Sequence, residues 1–212
     1  MSNVSLFTGA NLPAVQTLAS SLRNIAPDAG AGGVAILKME KAGIWVFGAD
    51  QTEVEPDSTW AVNPFSFVHG FIAWGDGAVL GEKMVSVSQP LPEVPPAPAG
   101  AAKGWEAQIG MSLKCISGED EGLEVRYTTT SVGGKKAVQI LAVALATQVE
   151  ANQDKPVPVV KLKKDHYSHK TYGKIYTPVF ELVTWMGMDG EAPAAEAEAI
   201  EAPAPAGRRR RA

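Results

Sequence analysis

Apolar, β-branched runs of strand length, separated by glycine and proline, are the feature of this sequence that most restricts its fold. Runs of this composition and length, bounded by such residues, are typical of β-strands. In chain order the first six are GVAILKM, GIWVFG, FSFVHGFIAW, AVLGEKMVSVS, WEAQIGMSLKCI and GLEVRYTTT. They predict a mainly β fold, in which the charged segment SGEDEG turns the last two into a hairpin.

A helix and two further strands follow this hairpin. Residues 133–149 carry apolar side chains at helical spacing and contain no proline, which predicts a helix. The runs PVPVVKLKK and GKIYTPVFELVTW then contain Pro158 and Pro178, and proline inside a strand favours a position at a sheet edge.

Three strands, a helix and two strands is the order of the oligonucleotide-binding (OB) barrel. That fold is a partly open five-stranded barrel, here with the helix between the third and fourth core strands. We therefore predict an OB-like barrel with an N-terminal extension, in which residues 11–25 have the apolar spacing of a short amphipathic helix and early strands follow. An α+β sandwich would give a similar string of elements.

Composition divides the chain into a domain, a loop and a tail. Residues 89–104 hold five prolines and cannot donate a regular ladder of hydrogen bonds, so we expect an exposed, mobile or functional loop. From residue 189 the sequence is rich in alanine, proline and glutamate and ends in an arginine run, Arg208 to Arg211. Such a segment buries too little apolar surface to fold. We expect a domain over residues 1–188 and a disordered tail over 189–212.

Bulk composition limits the possible functions. With 212 residues and 45% hydrophobic content the chain can form one core, and its net charge of −4 means that binding to nucleic acid would need a local basic patch. Cys115 is the only cysteine, which excludes an intramolecular disulfide and fits a reducing compartment. The sequence has no apolar run of membrane-spanning length and no signal-peptide pattern at its start, so we expect a cytoplasmic protein.

The densest functional signal lies in residues 155–176, where lysines alternate with aromatic residues. Its cations are Lys155, Lys161, Lys163, Lys164, Lys170 and Lys174, and its aromatic side chains are His166, Tyr167, His169, Tyr172 and Tyr176. Sites for single-stranded nucleic acid combine these features, because cations follow the phosphates while aromatic rings stack on unpaired bases. The alternative is a solvated edge strand whose lysines protect against aggregation and whose tyrosines belong to the core.

A second aromatic cluster lies between Trp60 and Trp74. If the segment is extended, Phe65, Phe67 and other alternate residues share one face. We expect most of these rings in the core, with Trp60 and Trp74 exposed at strand ends, where Trp74 could stack on a base.

Metal and nucleophile chemistry have weaker support. Asp165, His166 and His169 could surround a zinc ion, but three residues so close in sequence seldom converge alone. Cys115 fits a small buried hydrophobic residue better than a nucleophile. The acids of residues 119–121 suggest either a divalent-metal site or only a charged hairpin turn. We expect no catalytic residue, no metal and no cofactor.

Several ordered blocks of the sequence resemble tailed-bacteriophage single-stranded DNA-binding proteins. They cover residues 45–185 and read NPFSFVHGFIAW, GEKMVSVSQPLP, GWEAQIGMSLKC, GEDEG and DHYSHKTYGKIYTPVFELVTW. The resemblance implies an OB fold and the coating of unpaired DNA in phage replication and recombination. Such proteins often end in an acidic tail that recruits replication partners, whereas here arginines follow the acids. Those arginines could bind nucleic acid, fold back on the acids or be left over from cloning.

Together these observations predict a single-stranded DNA-binding protein that is not an enzyme. Its expected partners are single-stranded DNA, replication or recombination proteins that bind the tail, and other copies of the chain, but no membrane. The expected DNA-binding residues are Lys161, Lys163, Lys164, Lys170, Lys174, Tyr167, Tyr172, Tyr176 and Trp74. Two other functions remain open: a virion or assembly protein with solvent-facing lysines, and a metal-dependent nuclease that uses Glu119 and Asp120.

Overall fold

The computed structural model describes residues 34–190, and in this range the chain is mainly β with one helix. The prediction of a mainly β fold is confirmed. The predicted helix over residues 11–25 and the tail from residue 191 onward lie outside the described residues.

Ten strands and one helix follow one another along the described chain. Eight strands precede the helix: β1 (Ala35–Met39), β2 (Trp45–Phe47), β3 (Thr52–Glu53), β4 (Thr59–Val62), β5 (Val68–Gly75), β6 (Ala78–Ser86), β7 (Trp105–Ser117) and β8 (Glu124–Thr129). The helix α1 (Val132–Ala151) is followed by β9 (Val157–His169) and β10 (Gly173–Met186).

All ten strands belong to one sheet, and the long strand β7 connects its parts. The main order is β10-β9-β4-β7-β8-β1-β2-β3, while β5 pairs with β6 and with the first half of β7. Every pair is antiparallel except β1 with β8. The indole Nε1 of Trp45 in β2 donates to the carbonyl oxygen of Lys163 in β9 at 3.0 Å. Because β2 and β9 lie toward opposite ends of this order, the sheet is strongly curled.

The concave side of the sheet holds the main hydrophobic core. Trp60, Leu37 and Met111 are fully buried there, and one face of α1 packs on them through Val138, Leu141 and Leu145. Three rings, Trp45, Tyr127 and Phe180, meet with centroids 5.3–5.7 Å apart in the tilted and edge-on geometries that aromatic pairs prefer.

The helix begins at a serine cap and covers residues 133–149, which the sequence predicted to be helical. Ser131 has extended backbone angles, and its Oγ accepts a hydrogen bond from the backbone N–H of Gly134 at 3.0 Å. The sheet also shows the predicted hairpin between β7 and β8, which turns through the acidic segment of residues 118–122.

Two sequence predictions about the aromatic cluster are wrong. Trp60 was expected at the surface but is fully buried, because Thr59–Val62 forms a short strand between β7 and β9. Phe65 was expected on one face with Phe67, but it lies in a turn and is 77% exposed. The Asn63-Pro64 sequence ends β4. The side-chain Oδ1 of Asn63 accepts a hydrogen bond from the backbone N–H of Phe65, and the Asn63 carbonyl oxygen accepts one from the backbone N–H of Ser66.

The proline-rich segment of residues 89–104 contains no strand, as predicted, and it contacts both the first residue of β7 and the β5–β6 hairpin. Trp105 Nε1 donates to the carbonyl oxygen of Pro95 at 2.9 Å, and Lys83 Nζ donates to that of Glu93 at 3.1 Å. Its mobility stays a prediction.

The two proline-containing strands differ in their position in the sheet. The expectation of an edge position is confirmed for β10, which pairs only with β9 in the described sheet. It is wrong for β9, which lies between β10 and β4; Pro158 is tolerated because pairing with β4 begins at Val159.

Candidate nucleic-acid interface

The lysine-rich and tyrosine-rich segment forms the β9–β10 hairpin. Its turn comprises residues 170–172, and His169 pairs with Gly173, whose φ of 70° suits glycine. The Nδ1 atom of His169 accepts hydrogen bonds from the backbone N–H groups of Thr171 and Tyr172 at 3.1 and 3.3 Å. The rings of His169 and Tyr172 lie 4.8 Å apart, which orients Tyr172 at the tip. Because a turn interrupts the segment, strand alternation does not continue from Tyr167 to Tyr172.

The hairpin has an inner and an outer face, which the register defines. Residues directly opposite each other in an antiparallel pair share a face. The inner face continues the core side, where Leu162 is opposite the buried Phe180 and His166 is opposite Tyr176. The outer face carries Lys161, Lys163, Asp165 and Tyr167.

Tyr176 is the centre of the inner face and has cations on its ring. Lys164 Nζ lies 5.1 Å and Lys174 Nζ 4.9 Å from the ring centroid, within the range of a cation–π interaction. The His166 ring lies 6.0 Å away. This arrangement places positive charge beside an aromatic surface.

The outer-face lysines bind a carboxylate of the protein. Asp57 Oδ1 lies 2.6 Å from Lys163 Nζ and 3.4 Å from Lys161 Nζ. The hydrogen bond from Lys163, followed by its charge, lowers the pKa of Asp57, and the same hydrogen bond raises the pKa of Lys163. A phosphate that approached these two lysines would therefore compete with Asp57.

A groove of about 700 Å³ runs beside the inner face of the hairpin. One wall is formed by Tyr172, Lys174 and Tyr176, and the other by Lys38 near the end of β1 and Lys41 in the β1–β2 turn. The end of β8 and Ser131, the cap of α1, also line it. Three lysines and one glutamate lie on this lining, so the groove is locally basic in a chain whose net charge is −4.

Gly43 brings the two walls together. Its φ of 76° lies in the left-handed region, and it follows Glu40 in a turn closed by a hydrogen bond from the Gly43 N–H to the Glu40 carbonyl oxygen. A Cβ atom at this position would lie 2.7 Å from Cγ of Tyr176 and 2.8 Å from Cδ of Lys164. The turn can contact the Tyr176 ring only because residue 43 has no side chain.

The base of the groove is formed by Tyr127 and the beginning of α1. Burial raises the pKa of Tyr127 to about 12, and a hydrogen bond with Thr129 opposes the shift. The first turn of α1 contains no acidic residue and is followed by Lys135 and Lys136. Ser131, which caps the N-terminus of α1, lines the groove, so the positive end of the helix dipole lies beside the groove.

The structure brings together only some of the residues predicted from sequence. Tyr172, Lys174 and Tyr176 line the groove, and Lys164 contacts the Tyr176 ring. The other predicted residues lie elsewhere: Lys161, Lys163 and Tyr167 on the outer face, Lys170 in the hairpin turn, and Trp74, which is 41% exposed, on the β5–β6 hairpin. Whether any of the nine residues contacts DNA stays a prediction.

Sequence reasoning missed Lys38 and Lys41 as groove residues. They lie more than one hundred residues before the hairpin in the chain, and only tertiary packing brings them opposite it. The only sequence signal was a pair of lysines, Lys38 and Lys41, at the junction between two predicted strands.

The thiol of Cys115 and the acids of the β7–β8 turn were the other candidate chemical groups, and each lies among contacts within the fold. Cys115 is 1% exposed, as predicted for a small buried hydrophobic residue, and burial raises the pKa of its thiol. The backbone N–H of Glu119 donates to Glu55 Oε2 at 2.7 Å in the β7–β8 turn. Among residues 34–190, no group of three or more His, Cys, Asp or Glu side chains is placed to hold a metal ion.

The chain matches no protein-family model, no curated protein and no solved structure. The helix found in residues 34–190 is not long and apolar enough to cross a membrane.

Proposed function

We propose that this protein binds single-stranded DNA in the groove between the β1–β2 turn and the β9–β10 hairpin, and that it coats unpaired DNA during phage replication and recombination. The observation that carries the proposal is that Tyr172 and Tyr176 lie in one groove with Lys38, Lys41 and Lys174. Aromatic rings that stack on bases beside cations that follow phosphates are the two components of a single-strand site.

An OB barrel is the fold that we assign to the curled sheet. Its first core strand would be β4 continued by β5, and the others β7, β8, β9 and β10. The helix α1 lies between β8 and β9, which is the place that this fold gives to its helix. The β9–β10 hairpin would then be the loop between the fourth and fifth strands, one of the loops by which OB folds hold oligonucleotides.

The shape of the groove supports an unpaired strand as the ligand. Tyr172 is 76% exposed at the hairpin tip, so its ring is accessible, and its contact with His169 limits its motion. Stacking on such rings requires bases that are not already stacked inside a duplex. The lysines are spread over both walls, which allows phosphates of one strand to be contacted along the groove.

The test is a fluorescence anisotropy titration of a labelled oligothymidylate with the full chain at several salt concentrations. We expect affinity to fall with salt by a log-log slope of about 0.7 per phosphate contact. Replacing Tyr172 and Tyr176 by leucine should weaken binding by roughly 5- to 150-fold for each base that loses its stacking, with the slope nearly kept.

Tyr167→Leu is the matched control, because Tyr167 is 51% exposed but lies on the outer face. It should change affinity less than either groove tyrosine. Binding that is absent at low salt, or independent of salt, would exclude the proposed function. Equal losses for Tyr167→Leu and Tyr176→Leu, measured on folded protein, would exclude this groove as the site.

A further inference from the structure

The helix α1 has a second apolar surface that faces away from the sheet. Ile140 is 61% and Val143 is 67% exposed, although Val138, Leu141 and Leu145 on the opposite side are buried in the core. Between residues 137 and 146 the only polar side chain is Gln139. A helix that is apolar on all sides is normally buried on all sides.

Ile140 and Val143 belong to one straight stripe of exposed residues along the helix. At 3.6 residues per turn, positions separated by three and four residues lie above one another. The stripe runs through Lys136, Ile140, Val143, Thr147 and Glu150. Thr147 Oγ1 donates to the carbonyl oxygen of Val143 at 3.1 Å, so its hydroxyl is satisfied within the helix and its methyl group can join the apolar surface.

The charges at the two ends of the stripe are symmetric about its centre. Lys136 and Glu150 lie at equal distances before and after Val143, and neither has an ion-pair partner in the described part of the chain. If a second copy of the helix packs antiparallel with Val143 on a two-fold axis, Lys136 of each copy meets Glu150 of the other. The stripe is therefore complementary to itself in charge as well as in apolarity.

We propose that this surface, the α1 stripe, is a homodimer interface in which two copies pack their α1 helices antiparallel. Packed helices approach to about 8–10 Å between their axes, and a crossing angle of about 20° keeps the end charges within reach of each other. A single helix pair is a small contact, so the dimer forms at high local concentration and not as an obligate unit. The inference does not depend on DNA binding.

Charge reversal gives the sharpest test. The self-association of the full chain is measured by sedimentation equilibrium up to roughly 1 mM, the range in which small interfaces associate. We expect Lys136→Glu and Glu150→Lys each to weaken self-association by about tenfold or more, because each variant sets like charges opposite each other twice. An equal mixture of the two variants should associate as the wild type does, because the heterodimer has two opposite-charge pairs.

A cysteine at the axis gives an independent readout. Val143→Cys should form an intermolecular disulfide on mild oxidation, because the two Val143 positions face each other in the proposed dimer. Val132→Cys is the control: Val132 is 82% exposed on the same helix, but its two copies would be about 33 Å apart at 1.5 Å per residue. The native Cys115 is 1% exposed and should not react.

Circular dichroism and thermal melting first establish that every variant is folded. Restored association in the mixture, with rapid cross-linking at position 143 alone, supports the antiparallel dimer. A wild-type chain that stays monomeric up to the highest concentration overturns it. The proposal is also overturned if the charge variants associate as strongly as the wild type, or if positions 132 and 143 cross-link equally.

Discussion

Gly43 controls the shape of the groove at the scale of a single residue. Its left-handed backbone and the absence of a side chain let the β1–β2 turn lie against Tyr176 and Lys164. Alanine at this position would bring Cβ to 2.7 Å from Cγ of Tyr176, closer than carbon atoms pack, so the ring must move. We expect Gly43→Ala to displace Tyr176 and to weaken oligonucleotide binding severalfold.

Gly48→Ala is the control that separates this displacement from backbone strain. Gly48 has a φ of 73°, almost the same as that of Gly43, but a Cβ atom there would meet nothing within 4 Å. Both variants should lose roughly 1–2 kcal/mol of stability from the left-handed conformation. Thermal melting and anisotropy titration measure the two effects; equal affinities for the two variants would mean that Tyr176 does not need its present position.

The β9–β10 hairpin presents its two sets of lysines differently at the scale of an element. Lys164 and Lys174 of the inner face lie on the Tyr176 ring, and Lys38 and Lys41 line the opposite wall of the same groove. On the outer face, Lys161 and Lys163 already contact Asp57. We expect Lys38→Ala with Lys41→Ala to weaken binding of every sequence and to lower the salt slope by about 0.7 for each lost contact. The double variant Lys161→Ala with Lys163→Ala should weaken binding and lower the salt slope by a smaller amount.

The same titration decides which face of the β9–β10 hairpin the DNA strand follows. The two double variants remove the same charge, so long-range attraction changes equally and only local contacts differ. If the outer-face pair caused the larger loss, the DNA would run over the outer face of β9.

Tyr127 couples pH to stability at the scale of the whole molecule. Burial of its hydroxyl raises the pKa of Tyr127 from its ordinary value near 10 to about 12 in the folded chain. Tyr127 therefore stabilises the fold below pH 10, and this contribution is lost as the pH rises from 10 to 12. The loss approaches about 1.4 kcal/mol per pH unit in that window.

Urea denaturation from pH 9 to pH 12 measures this effect. Tyr127→Phe keeps the ring contacts with Trp45 and Phe180 but has no ionisable hydroxyl. We expect the stability difference between wild type and variant to move in favour of the variant above pH 10. A difference that stays constant through this range would mean that the hydroxyl ionises at its usual pH in the folded chain.

The sequence alone determined the elements that depend on local properties. Alternating β-branched runs, the proline-free helical segment and the charged hairpin turn all appear where they were predicted, because strand and helix periodicity, caps and turns are set by neighbouring residues. The concentration of lysine and tyrosine in residues 155–176 likewise identified one wall of the candidate groove. The short strand β4 was missed, because four residues before a proline carry too little periodicity to predict pairing on both sides.

Only the tertiary structure decided which side chains share a surface. A strand pattern gives two faces but does not say which one continues the core, so the separation of Tyr176 from Lys161 and Lys163 required the register of β9 with β10. The opposite wall, with Lys38 and Lys41, depends on the curl of the sheet and on the contact between β2 and β9. Contacts between residues more than one hundred positions apart arise from the packing of the whole sheet, and for that reason no local pattern contains them.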